Sequence, residues 1–164
     1  SLHKRGYRKL TAKAPIAENL AASLIMLTPW NKDRILVDPF CGSGTIPIEA
    51  AMIAANMAPG MNRTFTSQDW GHIISKKTWY DCLDEANELV DLTVDTDIQG
   101  YDIEEEMVSI SRQNAKLAGV EDLYIITPVK KDGKVSDVIL AAAYVAGITK
   151  IYKCGGAQGV AAAA

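Results

Sequence analysis

Ile35-Leu36-Val37-Asp38-Pro39-Phe40-Cys41-Gly42-Ser43-Gly44-Thr45-Ile46-Pro47-Ile48-Glu49-Ala50-Ala51 is the stretch that decides the fold. A short β-branched apolar run ends at Asp38-Pro39, two glycines follow, and a helical pattern opens at Thr45. That order reads as a buried parallel strand, a tight loop and a helix. Glycines at such a junction let backbone N–H groups approach a ligand closely. The dinucleotide fingerprint asks for a third glycine and for an acid about 20 residues further on. Pro47 stands in the third place, and Asp102 lies 60 residues beyond Gly42. The fingerprint therefore fails, and the local pattern leaves a nucleotide cradle and a plain tight turn both open.

Working outward, Ala14-Pro15 predicts a helix start, with Ile16, Leu20, Leu24 and Leu27 following at spacings of four and three and Pro29 as the stop. The helix after the loop is expected over Thr45 to Met57, an irregular excursion over Ala58 to Lys77, and a helix over Thr78 to Leu92. A second strand is expected over Asp97 to Tyr101. It leads into a helix over Glu104 to Ala118 with acids in its favourable first turn and Gly119 as its left-handed cap. A third strand is predicted over Leu123 to Thr127, a helix over Ser136 to Ala146, a fourth strand over Ile148 to Lys153, and a last Ala-rich helix. The alternation predicts an α/β fold: a Rossmann-like, doubly wound, mainly parallel sheet of about four strands with helices on both faces. Ligands of such sheets sit at the carboxyl ends of the strands, here after residues 37, 101, 127 and 153.

The 164 residues fit one domain, and 48% apolar against 23% charged residues can build a core. The longest apolar stretch, Leu20 to Met26, is far short of a bilayer span, and the first 13 residues carry no apolar signal core. The net charge of −3 argues against a general nucleic-acid binder. Its distribution is uneven: Lys4, Arg5, Arg8, Lys9 and Lys13 open the chain, whereas Asp81 to Glu106 holds 11 acids and no Lys or Arg. Any RNA contact is therefore local and weak, through the basic start, with a solvated terminus as the bland alternative. Three cysteines without a Cys-x-x-Cys spacing, and only His3 and His72 to join them, predict reduced thiols, a cytoplasmic setting and no metal. Trp70, Trp79 and Tyr80 read either as a stacking platform for a base or as cover for the excursion.

Arg5-Gly6-Tyr7-Arg8, Ala14-Pro15-Ile16, the stretch from Leu36 to Ala51, Asn56-Met57-Ala58-Pro59-Gly60, Gly100-Tyr101-Asp102-Ile103, Asn114-Ala115 and Gly119-Val120 together resemble one family. These are the ribosomal-RNA guanine methyltransferases that carry a THUMP domain ahead of a Rossmann-like catalytic domain. The likeness covers roughly residues 2 to 124. It implies an S-adenosylmethionine site formed by Asp38, Pro39, Phe40, Cys41, Gly42, Ser43, Gly44 and Thr45 around the methionine half, with Asp102 and Ile103 toward the ribose. A carboxylate suits the ribose because it accepts from both hydroxyls. Asp102-x-x-Glu105 is also a capping-box spacing, and both roles can hold together. The resemblance places Cys41 in the cofactor loop as a small structural residue, not as a nucleophile.

Methyl transfer from a sulfonium needs mainly alignment of the acceptor. The family resemblance implies an Asn-Pro-Pro-Tyr type motif for that task, and no Asn follows Asn114 in this chain. Residues after 124 resemble a different protein family, histidinol dehydrogenase, on Thr127-Pro128, Lys131-Asp132-Gly133, Ile139 to Ala143, Ala146-Gly147-Ile148 and Ile151 to Gln158. That likeness implies an NAD contact at Gln158, without the dehydrogenase's catalytic and zinc-binding parts. The pairing predicts an engineered chimera of a methyltransferase-like half, 1 to 124, and a completing segment, 125 to 164, joined within the third strand. The leading expectation is a scaffold that keeps the S-adenosylmethionine half-site, lacks a methyl-acceptor site and does not turn over as an enzyme. The alternatives are an RNA guanine-N2 methyltransferase domain, an NAD-binding module, and a chain that only folds. A short sheet also predicts self-association through an exposed edge.

Overall fold

The computed structural model describes residues 4–9, 15–128, 150–154 and 159–163. In the stretch 15–128, helix α1 spans Glu18–Met26, strand β1 Leu36–Asp38, helix α2 Thr45–Ala54, helix α3 Lys76–Glu88, strand β2 Ile98–Asp102, helix α4 Glu105–Ala118 and strand β3 Ile125–Pro128. The three strands form a parallel sheet in the order β1-β2-β3. Leu36 pairs with Ile98, Asp38 with Gly100, Gln99 with Ile125 and Asp102 with Pro128. The register brings the carboxyl ends of β1 and β2 side by side. Two crossovers that advance in one direction put their helices on one side of a sheet. Accordingly α2 packs against α4 and both touch β2. The helix expected over Ser136 to Ala146 lies outside the described residues.

The core is built where α2, α4 and the strands meet. Ile48, Ala50, Ala51, Ile98, Ala115, Ala118 and Val120 are fully buried, with Val108, Leu123, Tyr124 and Ile126 around them. Alanines on α2 allow close approach of helix to sheet, and at Gly100 an added Cβ would stand 3.2 Å from the Cys41 sulfur. Gly119 takes a left-handed φ of 76° at the end of α4, as its sequence position predicts.

Several expectations are corrected. Helix α1 starts at Glu18 and buries Glu18, Ala21, Ala22 and Ile25, so Leu20, Leu24 and Leu27 of the expected apolar stripe are exposed. A carboxylate occupies the inward register because a cation meets it there. Helix α2 ends at Ala54, short of Met57, and α3 starts two residues before Thr78. Ser75 sets that start, its hydroxyl accepting the Thr78 N–H at 3.1 Å. Strand β4, Lys150–Cys154, pairs antiparallel with β5, Gly159–Ala163, in a separate two-stranded sheet. Neither the fourth parallel strand nor the last Ala-rich helix forms there. Main-chain pairing with β4 overrides the helix propensity of the alanines.

Candidate cofactor site

The loop between β1 and α2 is shaped by hydrogen bonds before any side chain of chemistry is considered. The Phe40 N–H donates to Asp38 Oδ1 at 3.1 Å, turning the chain out of the strand. The Cys41 N–H donates to the Tyr101 carbonyl at 2.9 Å, and the Gly44 N–H to the Cys41 carbonyl at 2.8 Å. Gly42 and Gly44 adopt φ of 53° and 82°, the left-handed region where glycine carries no Cβ penalty. A Cβ on Gly44 would strike the Ser111 hydroxyl, whereas a Cβ on Gly42 would meet nothing within 4 Å. The loop thus presses on α4 at Gly44 and leaves Gly42 facing open space.

Asp102, the last residue of β2, closes the arrangement. Its Oδ2 accepts the Gly42 N–H at 2.9 Å and its Oδ1 accepts the Glu104 N–H at 2.9 Å. The capping-box expectation is corrected in detail: α4 has Glu104 at its N-cap, without a side-chain cap bond, and Asp102 turns the chain two residues before that N-cap. Each carboxylate oxygen has a second lone pair, so these bonds leave Asp102 able to accept further donors. Ile103 follows, 39% exposed.

The expected site residues divide into a floor and a rim. Cys41, Ser43 and Thr45 are buried, while Phe40 is 54% exposed. The Ser43 carbonyl accepts from Asn114 Nδ2 at 3.2 Å, a buried bond that ties the loop to α4. Burial is the main cause that pushes the Cys41 thiol well above its ordinary pKa, and the Asp38 and Asp102 charges add to it. Burial also raises the Asp38 carboxyl above the usual carboxylate range, against the lowering effect of the Phe40 N–H, and the Asp102 charge adds to the rise.

Four residues that sequence reasoning did not assign to the loop support it. Ser111 Oγ and Tyr124 OH lie 2.9 Å apart beneath Gly44, and Tyr124 OH also reaches the Ser111 carbonyl at 3.1 Å. Asn114 is fully buried. Arg8 reaches Thr45 Oγ1 from the amino-terminal segment at 2.9 Å. Buried Ser and Asn inside an otherwise apolar helix face are the one sequence signal that points to α4 as loop support.

The basic start, read as a local RNA contact or a solvated terminus, is in part neither. Arg5 and Arg8 face inward, at 3.4 Å from Glu49 and 3.5 Å from Glu18. Only Lys4 and Lys9 remain exposed among the described members of that run. Trp79 of α3 packs at a tilt on Phe65 of the excursion with ring centres 5.9 Å apart, while Trp70 and Tyr80 are exposed. Cover is therefore the observed role of Trp79. Cavities of about 660, 520 and 270 Å³ are lined by residues outside the β1–α2 loop. Among the described residues no group of three or more His, Cys, Asp and Glu is placed to hold a metal ion. Gln158 lies outside the described residues.

A parallel sheet, a glycine loop at the end of its first strand and a carboxylate at the end of its neighbour are the arrangement of a Rossmann-like fold, whose ligands sit at the carboxyl ends of the strands. The chain belongs to the RMKL-like, methyltransferase domain family, whose model matches residues 5–135. It is 51% identical over 122 residues to Bacillus subtilis (strain 168) YpsC, a protein that carries an RNA methyltransferase name. It is 47% identical over 128 residues to the ribosomal RNA large subunit methyltransferase K/L of Shewanella sediminis (strain HAW-EB3). The matches cover 74% and 75% of this chain but 31% and 18% of those relatives, so the chain spans at most about a third of their length. A crystal structure from Listeria monocytogenes, named as an N6-adenine-specific DNA methylase, superposes with TM-score 0.74 at 46% identity over 79% of this chain and 34% of that one. The methyltransferase-named SMU.472, solved in complex with SAH, gives 0.72 at 43% identity over 79% and 33%. The family match extends past the expected junction at Leu123 to Thr127, to residue 135. Nothing in these matches supports a histidinol dehydrogenase segment or a chimera.

Proposed function

We propose that this chain carries the cofactor-binding part of an S-adenosylmethionine-dependent methyltransferase acting on RNA. The carrying observation is the bond between Asp102 and Gly42, which sets a carboxylate beside an open glycine loop at adjoining strand ends. The methionine part of the cofactor would rest over Asp38 to Thr45, and Asp102 would accept from the ribose hydroxyls. The residues fit such a group: the Cβ position of Gly42 faces open space, and Asp102 keeps acceptor capacity. The bound cofactor would supply an activated methyl group on a sulfonium. The chain's own residues would hold and orient it, because the leaving group needs no protonation and alignment carries the rate.

RNA is favoured as acceptor because YpsC and the K/L relative both carry RNA methyltransferase names, against the one DNA name of the Listeria protein. Isothermal titration with S-adenosylhomocysteine, with NAD in parallel, tests the cofactor. Tritiated methyl transfer to ribosomal RNA and to DNA tests the acceptor. Saturable binding of the homocysteine compound alone is the expected result; binding of NAD alone would reverse the reading.

A further inference from the structure

We propose that Arg8 is a positioning residue for the cofactor loop, acting through Thr45. The inference rests on the cofactor reading above. Thr45 is the first residue of α2 and directly follows Gly44, so its placement sets how the glycine loop enters the helix. The N-cap is Gly44 and no side chain caps the helix, so the Thr45 hydroxyl is available to an outside donor. Arg8 is that donor. Its Nη2 reaches Thr45 Oγ1 at 2.9 Å and the Ile16 carbonyl at 2.6 Å, and it lies 3.5 Å from Glu18 Oε2 at the start of α1. One guanidinium therefore joins the beginnings of two helices.

The segment that carries Arg8 is held by side chains along α2. Tyr7 OH donates to Glu49 Oε1 at 2.9 Å and Arg5 Nε to Glu49 Oε2 at 3.4 Å. Residues 5 and 7 thus sit one helical turn beyond Thr45, and Arg8 extends to Thr45 itself. At the other end Gly6 lies against the Asn62 carbonyl, where a Cβ would not fit, and Arg63 donates to the Lys4 carbonyl at 3.1 Å. The segment is a strap from the excursion to the cofactor loop.

Stability alone is a poor reason for this arrangement. Arg8 and Glu18 side chains are 11% and 5% exposed, and a buried ion pair adds little over a well-packed apolar pair. The Nε of Arg8 is buried with no hydrogen-bond partner among the described residues, which costs further stability. All three contacts converge on Nη2, at the far tip of the longest cationic side chain, so reach and a planar, fixed tip set the geometry. What the arrangement supplies is a fixed orientation between α1, α2 and the loop.

The test compares two full-length variants with the wild type. Arg8→Lys keeps the positive charge on a shorter stem and gives up the reach to Thr45 Oγ1, whereas Glu18→Gln removes the ion pair and keeps the bond to Thr45. Arg8→Lys is expected to weaken S-adenosylhomocysteine binding about tenfold and to shift the Gly42 and Gly44 amide resonances in ¹⁵N–¹H spectra. Glu18→Gln is expected to lower Tm without either change. Wild-type affinity and unmoved loop amides in Arg8→Lys would overturn the proposal, as would equal weakening in both variants. A wild type that binds no S-adenosylhomocysteine refutes the cofactor reading instead, and the loop amides then decide the positioning role alone.

Discussion

Asp102 Oδ2 accepts the Gly42 N–H at 2.9 Å across 60 residues of sequence, so the carboxylate at the end of β2 is a structural part of the loop at the end of β1. The residue proposed to face the cofactor ribose also holds the main chain that would face its methionine half. Asp102→Ala removes an acceptor from two N–H groups, those of Gly42 and Glu104, and is expected to cost about 1–3 kcal/mol. Chemical denaturation reads that loss. Asp102→Asn keeps one carbonyl acceptor, so a smaller stability loss together with at least tenfold weaker S-adenosylhomocysteine binding is the expected pair of results.

The two loop glycines are expected to answer differently to the same substitution. Gly44→Ala drives a methyl group into Ser111 at a left-handed φ of 82°, and about 2–4 kcal/mol of destabilisation should follow. Gly42→Ala meets open space and pays mainly for its φ of 53°, about 1 kcal/mol. The Gly42 variant should therefore remain folded while losing affinity, since its methyl group enters the space assigned to the cofactor. Thermal melts beside titrations separate the two.

Asp38 gives a pH prediction with a definite sign. Its folded-state pKa is raised, first by burial, so between the ordinary carboxylate value and the raised one the folded protein binds more protons than the unfolded chain. That contribution makes stability fall as pH rises through this window, and the deficit persists at neutral pH. Asp38→Asn removes it while keeping an acceptor for the Phe40 N–H. Melting curves from pH 4 to 8 should show a higher Tm than wild type at the alkaline end by about 0.5–1 kcal/mol equivalent, and a flatter slope. Glu49, raised chiefly by burial despite Arg5 and Tyr7, leaves a residual slope of the same sign.

Tyr124 is expected to stay protonated until strongly alkaline pH, because burial pushes its hydroxyl up to about 12 against the opposing bond to Ser111. Ultraviolet difference titration of wild type against Tyr124→Phe should lose a phenol that ionises only there. The same variant strands the buried Ser111 hydroxyl, at a cost of about 1–2 kcal/mol in denaturant unfolding.

The strand, loop and helix from Ile35 to Ala51 were legible because strand hydrophobicity, turn residues and helix pattern change abruptly within that stretch. Gly119 was legible for a similar local reason. What escaped was charge in the interior. Glu18 and Glu49 occupy inward positions of α1 and α2 that periodicity reserves for apolar residues, and the cations that admit them come from the run of basic residues at the chain start. A charge run looks solvated until its partners are known. Of the loop support, Ser111 and Asn114 broke the pattern of α4 visibly, but Tyr124 looked like an ordinary strand residue. The alanines of β5 failed in the opposite sense, since pairing with β4 outweighed a local preference for helix.

The strap of residues 4–9 can also be viewed as a ligand carried on a tether. Its two arginines and one tyrosine supply what the carboxylates of Glu18 and Glu49 lack, and covalent attachment gives them a high effective concentration. The domain beneath would in that sense be an incomplete receptor, with two acidic sockets whose key is a preceding segment of the same chain.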